Sequence, residues 1–254
     1  MRFIGSAVIT CISFFIFSCS GSRYSVANAH AHNDYAHPIP FYTAWDAGFG
    51  SIEADVFAVD DSLYVAHDSS DMHPSRSLQR LYIQPLLMAM EKPEHFVRLL
   101  VDIKKDYKRS LELLIREIKP LLPYLTTTEN TNRITLLVTG SRPVPADYDQ
   151  YPSYIFFDDD LKQPHTPEQW KRVGLVSLPF NKISKWEGTG EIDAISRQAI
   201  QHKIDSVHAA GKPIRFWAAP DTPESWKLQK QLHADLIGTD KISDLTGWMQ
   251  AGRK

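Results

Sequence analysis

FVRLLVDI, residues 96–103, decides the architecture. Its apolar residues are nearly continuous, so it does not alternate as a half-solvated strand would. At eight residues it is also short for a buried helix. Such a run fits a strand covered on both faces, as in the parallel sheets of α/β proteins. Its single acid, Asp102, falls at the C-terminal end, followed by Lys104. A carboxylate at the end of an apolar strand is costly unless it is paired or on a metal.

Working outward, the same kind of run recurs. Strand-length segments are expected at 26–33, 51–59, 133–139, 154–157, 175–178, 213–218 and 236–239. Helical patterns separate them, at 40–47, 80–90, from Ser110 to Ile118, after Thr166-Pro167, at 192–210, at 222–232 and at 242–250. The turn Asp60-Asp61-Ser62 leads into a further extended segment, 63–67, beside the second strand. Eight strands alternating with helices fit a single (β/α)8 TIM barrel. An open doubly wound sheet would bring a Gly-rich phosphate loop after the first strand, and the chain has none there. No Pro/Gly/Ser linker divides the chain, so one domain is expected over 19–254.

The N-terminal segment is kept apart from that fold. Met1-Arg2 gives a basic start, and Phe3–Phe17 is nearly all apolar before Ser18-Cys19-Ser20-Gly21. A run this length is short of the roughly 20 residues that span a bilayer. It reads as a signal peptide over residues 1–18. Its Ile16-Phe17-Ser18-Cys19 ending resembles a bacterial lipoprotein box, which implies a lipid anchor on Cys19. The expected localisation is therefore the bacterial cell envelope, facing the periplasm or the exterior. Cys11 and Cys19 are the only cysteines, so the body carries neither disulfide nor thiolate nucleophile. The 254 residues are 43% hydrophobic and carry a formal charge of −2, a balance that offers no basic field to nucleic acid.

In a barrel the C-terminal strand ends build the site. Glu53 and Asp55 are two apart on strand two and face the same side, roughly 6.6 Å apart at Cβ. Together with Asp102 they can reach one hard cation. His32 and His67 flank them from strands one and two, and imidazoles titrate near neutrality. Two histidines around an acidic pair form the expected catalytic pair. Trp217, ending strand seven, is expected to line the pocket. Arg142, just past strand four, is expected at the phosphate. Asp158–Asp160 and the histidines at 165, 202, 208 and 233 read as solvated surface.

The clusters His32-Asn33, Glu53-Ala54-Asp55, His67-Asp68 and Asp102-Ile103-Lys104 together resemble the phosphodiesterase barrel superfamily. That superfamily includes glycerophosphodiester phosphodiesterases, phosphatidylinositol-specific phospholipases C and sphingomyelinase D-type enzymes. The phrases HNDY, IEADVF, LYVAHD, LQRLYIQPLL and VDIK are similar to the branch of the fungal altered inheritance of mitochondria protein 6. The resemblance implies one divalent cation, Ca²⁺ or Mg²⁺, on Glu53, Asp55 and Asp102, with Asn33 as a further ligand. It implies His32 and His67 as acid and base and Lys104 as a phosphate contact. The implied activity is hydrolysis of a glycerophosphodiester, a phospholipid head group or a related diester by a monomer. Glycerophosphodiesterases usually carry Arg where this chain has Asn33, and Glu where it has Asp102, so the esterified alcohol stays open. Two rivals share the residues. His30-x-His32 also resembles the opening of amidohydrolase barrels, and an anchored barrel could bind a phosphorylated ligand without turnover.

Overall fold

The computed structural model describes residues 24–91 and 95–252; the expected signal segment lies outside them. Its elements are β1 (Ala29–Ala31), α1 (Tyr42–Ala47), β2 (Ser51–Val59), β3 (Ser62–Val65), α2 (Gln84–Ala89), β4 (Val97–Ile103), α3 (Tyr107–Glu117) and β5 (Ile134–Gly140). They continue with β6 (Ile155–Asp159), α4 (Pro167–Lys171), β7 (Val173–Pro179), α5 (Phe180–Ile183), α6 (Ala194–Ala209), β8 (Ile214–Trp217), α7 (Pro223–Gln231), β9 (Ile237–Thr239) and α8 (Ile242–Ala251).

Eight of the nine strands pair in parallel in the order β8-β7-β6-β5-β4-β2-β1-β9. The ring closes through a parallel bridge from Arg215 to Leu236, the residue before β9. The chain is thus a (β/α)8 barrel, as the alternation of apolar runs and helical patterns predicts. β3 stands outside the ring as an antiparallel arm on β2, with Val56 opposite Val65.

Strand periodicity sorts the barrel interior into layers. Leu100, Leu137, Phe156, Leu175 and Leu236 form one buried apolar cluster in the barrel floor. Two residues on, toward the C-terminal ends, stand Asp102, Thr139, Asp158 and Ser177. A step of two keeps a side chain on the same face. An apolar floor therefore carries a polar layer at the barrel mouth. The larger core lies between the barrel wall and the helices and includes Ile52, Val101, Leu136, Phe157, Ile204 and Leu245.

Local chemistry moves several expected boundaries. Ser25 closes a capping box over the 3-10 turn Val26–Asn28, so β1 begins only at Ala29. α3 is capped by Asp106, whose carboxylate accepts from the Arg109 N–H, while Ser110 is buried inside the helix and donates to the Lys105 carbonyl. A π-helical turn, Gln79–Ile83, runs directly into α2. β6 extends through Asp158 and Asp159, which are 3% and 4% exposed rather than solvated. His165 also departs from the surface reading: its ring is buried against Asp159, 3.0 Å away.

Candidate active site at the barrel mouth

Glu53, Asp55 and Asp102 come together at the mouth. β2 and β4 pair so that Asp55 stands opposite Asp102. One oxygen from each of the three acids lies within 4.8 Å of the others. Lys104, two residues beyond Asp102, places its ammonium 2.6 Å from both Asp55 Oδ2 and Asp102 Oδ2. Burial pushes the Asp102 carboxyl up, against the pull of Lys104. Asp55 Oδ2 also accepts from the Tyr35 hydroxyl at 2.7 Å, and Asp55 Oδ1 is buried with no hydrogen-bond donor among the described residues. An orphan carboxylate oxygen in an all-oxygen cluster is what a hard divalent cation would satisfy, so these residues fit Ca²⁺ or Mg²⁺.

Glu53 is held from the other side. Its Oε2 lies 2.7 Å from His30 Nε2 and 3.0 Å from Arg215 Nη1. Burial opposes its charge, but Arg215 and then His30 win and hold the carboxyl well below the usual range. His30 is fully buried, with Nδ1 2.8 Å from Ser51 Oγ. Burial first, then Arg215, lowers its pKa to about 4, so this imidazole is neutral at physiological pH. Arg215 also donates from Nε to Ser177 Oγ at 2.7 Å.

The two expected catalytic histidines occupy different settings. His32 Nδ1 lies 2.7 Å from Asp240 Oδ1, and its side chain is 41% exposed. Burial alone would lower its pKa, but the hydrogen bond to Asp240, with the charges of Glu53 and Asp240, raises it. His67 follows the β3 arm and is exposed, with Nδ1 3.2 Å from Asp55 Oδ2. In both rings Nδ1 is engaged by a carboxylate, which leaves Nε2 for a substrate.

A cavity of about 350 Å³ opens beside the acids, lined in part by His32, Glu53, Asp102, Arg142, Arg215 and Trp217. The indole of Trp217 is 46% exposed at its rim. Arg142 turns its guanidinium toward Asp160, 3.6 Å away. Asn33 and His67 are not among the lining residues. Asn33 lies between Asp240 and Tyr35. Its amide nitrogen is 3.2 Å from Asp240 Oδ1, and its Oδ1 lies 2.7 Å from the Tyr35 hydroxyl. The Tyr35 hydroxyl in turn meets Asp55.

From the sequence, His30 and Asp240 entered only through the amidohydrolase rival, while Tyr35, Asp158 and Arg215 were given no part in the site. Strand parity carried a signal for two of them: Asp158 is two residues past the inward Phe156, and Arg215 is inside the apolar run of β8. Gly140 is a further signal. Its φ is +70°, and a Cβ there would stand 1.9 Å from Asp102 Oδ1. Gly140→Ala is expected to displace that carboxylate and weaken divalent-cation binding by about tenfold or more without removing a ligand. Isothermal titration with Mg²⁺ and Ca²⁺ checks this, and unchanged affinity would separate Asp102 from the cation.

The comparisons support the fold of a phosphodiester hydrolase. Residues 23–95 match the AIM6-like phosphodiesterase domain family. The chain is 28% identical to an altered inheritance of mitochondria protein 6 homolog of Arthroderma benhamiae, over 86% of this chain and 82% of that protein. It is 24% identical to altered inheritance of mitochondria protein 6 of Kluyveromyces lactis, over 88% of this chain and 72% of that protein. In structure it is similar to a glycerophosphodiester phosphodiesterase from Parabacteroides distasonis, with a TM-score of 0.54 at 12% identity, covering 85% and 90% of the two chains. The chain is thus similar, over most of its length, to fungal altered inheritance of mitochondria protein 6, and its residues 23–95 are similar to an AIM6-like phosphodiesterase domain. These relatives overturn one expectation. They are fungal and point to a eukaryotic protein, not to a lipid-anchored protein of a bacterial envelope.

Proposed function

We propose that the chain hydrolyses a phosphodiester with the help of one divalent cation, Ca²⁺ or Mg²⁺, held by Glu53, Asp55 and Asp102. The observation that carries this is the convergence of the three carboxylates, within 4.8 Å, at the C-terminal ends of two neighbouring strands. Bound there, the cation would supply Lewis-acid polarisation of a non-bridging phosphate oxygen.

The remaining work falls to side chains. Lys104 and Arg142 offset phosphate charge. His67 Nε2 takes the proton of the nucleophile, and Asp55 at Nδ1 orients the ring. His32 Nε2 gives a proton to the leaving oxygen, since Asp240 favours its imidazolium form. Tyr35 and Asn33 brace both arms. An amidohydrolase site fits less well. Its further histidines are expected at the fifth and sixth barrel strand ends, where this barrel presents Asp158 and Ser177.

The pH dependence follows in sign. A raised His32 pKa keeps the acid protonated to higher pH, so activity falls as pH rises through it. Asp240→Asn is expected to move this alkaline limb to lower pH and to cost about tenfold or more in kcat at neutral pH. A limb that stays in place would separate His32 from the acid role. The function itself is tested with a panel of phosphodiesters and product identification, on the wild type and on His32→Ala. The expected loss is roughly 10²–10⁴-fold in the variant. Full activity in His32→Ala would refute the role of that residue.

A further inference from the structure

Of the four consecutive residues His32-Asn33-Asp34-Tyr35, the roles above use three and leave out Asp34. Asp34 is fully buried. Its Oδ2 accepts from the Phe41 N–H at 2.6 Å and from the Tyr82 hydroxyl at 2.9 Å. Burial pushes its carboxyl up, and the Phe41 N–H, the Tyr82 hydroxyl and the charge of His37 only partly pull it back. A carboxylate is costly to bury without a close counter-charge. Its two hydrogen bonds locate what it holds.

The first bond closes the loop from Asp34 to Phe41. Phe41 has φ 65° and ψ −58°, and the Tyr42 N–H donates to the Pro40 carbonyl at 2.8 Å. That is a γ-turn of the rare, strained hand. A phenylalanine takes it only where its surroundings impose it. The second bond ties the loop to the π-helical turn Gln79–Ile83, in which Tyr82 is fully buried. Arg76, three residues before that turn, donates from its guanidinium to the Tyr35 carbonyl. Its own carbonyl accepts from the Val65 N–H at 2.7 Å. The loop that carries Tyr35 and the β3 arm that leads to His67 are therefore fastened to one stretch of chain, Arg76–Ile83.

Tyr35 follows Asp34 directly in the 3-10 turn Asp34–Ala36. Its hydroxyl lies 2.7 Å from Asp55 Oδ2 and 3.3 Å from His67 Nδ1. We propose that Asp34, locked by Tyr82 and the Phe41 N–H, is a positioning residue that sets the Tyr35 hydroxyl against Asp55 and His67. The proposal rests on the phosphodiesterase reading and extends it to two buried residues, Asp34 and Tyr82, outside the cavity lining. An ionised carboxylate suits the task because it only accepts hydrogen bonds, and its charge makes them short and strong.

Double-mutant kinetics separate positioning from a purely stabilising role. In Asp34→Ala, kcat on bis-p-nitrophenyl phosphate is expected to fall by about tenfold or more, with KM within about twofold of the wild type. Asp34→Asn, which keeps one acceptor oxygen, should recover part of the loss, and Tyr82→Phe should fall between Asp34→Ala and the wild type. In a Tyr35→Phe background none of the three changes should lower kcat further, because the hydroxyl they position is gone. A carboxylate that only stabilised the fold would cost the same with or without that hydroxyl. Equal losses in the two backgrounds, or none in either, would overturn the proposal. Crystal structures of Asp34→Ala and Tyr82→Phe need no turnover. In each, the Tyr35 hydroxyl is expected to withdraw from Asp55 Oδ2 past about 3.5 Å. A hydroxyl that keeps its 2.7 Å contact in both variants overturns the proposal. Should Asp34→Ala not fold, Tyr82→Phe carries both measurements, since it deletes one oxygen from a ring of otherwise unchanged shape. A wild type inert on every diester would sink the phosphodiesterase reading alone, and the crystal structures would still decide the role of Asp34.

Discussion

Asp55→Asn is expected to lose about a thousandfold in divalent-dependent phosphodiester turnover while the barrel stays folded. Asp55 is the hub of the mouth: Lys104, Tyr35 and His67 all meet its Oδ2, and its Oδ1 is the donorless oxygen of the acid cluster. Asparagine keeps the volume and removes the charge. The proposed cation then loses a charged ligand, and His67 loses the carboxylate that orients Nδ1. Both losses act on the same transition state, so the effect should fall on kcat more than on KM. Calorimetric titration with Mg²⁺ and Ca²⁺ should show a parallel loss of affinity. Wild-type turnover in this variant would remove Asp55 from the site.

The second large effect is on stability. Arg215 is buried between Glu53, Asp158, His30 and Ser177. Its guanidinium is the counter-charge for two buried carboxylates. Arg215→Ala would leave both without it, and breaking a buried pair from one side costs about 3–5 kcal/mol. Urea unfolding should show a midpoint lowered by that loss divided by the slope, with the slope itself unchanged. Arg215→Met fills the volume and should recover only the packing part of the loss. A variant within about 0.5 kcal/mol of the wild type would mean that Glu53 and Asp158 do not depend on this guanidinium.

Much of the barrel was legible because its strands are buried on both faces. FVRLLVDI has no alternation to misread, and the other apolar runs fell within a few residues of the strands observed. The acid cluster was legible for a related reason: Glu53 and Asp55 share parity on one strand, and Asp102 ends its neighbour. What escaped depends on contacts far apart in sequence. Asp240 meets His32 across 208 positions, and Arg215 meets Glu53 across 162. Asp158 was misread because three consecutive acids look like a solvated loop, although its parity with Phe156 points it inward. Asn33 was assigned by resemblance; its contacts with Asp240 and Tyr35 and its positive φ of 48° could not be read from the sequence. The compartment was misjudged because a short apolar run reports hydrophobicity, not the organism that reads it.

The central claim is that the acids at the mouth serve a cation that enables phosphodiester cleavage. Its most direct measurement is hydrolysis of bis-p-nitrophenyl phosphate by the purified protein, chelated with EDTA and then restored with Mg²⁺ or Ca²⁺. Turnover is expected to disappear with EDTA, to return with one of the two cations, and not to return in Asp55→Asn. Turnover indifferent to EDTA, or none on this or any other diester with either cation present, would contradict it.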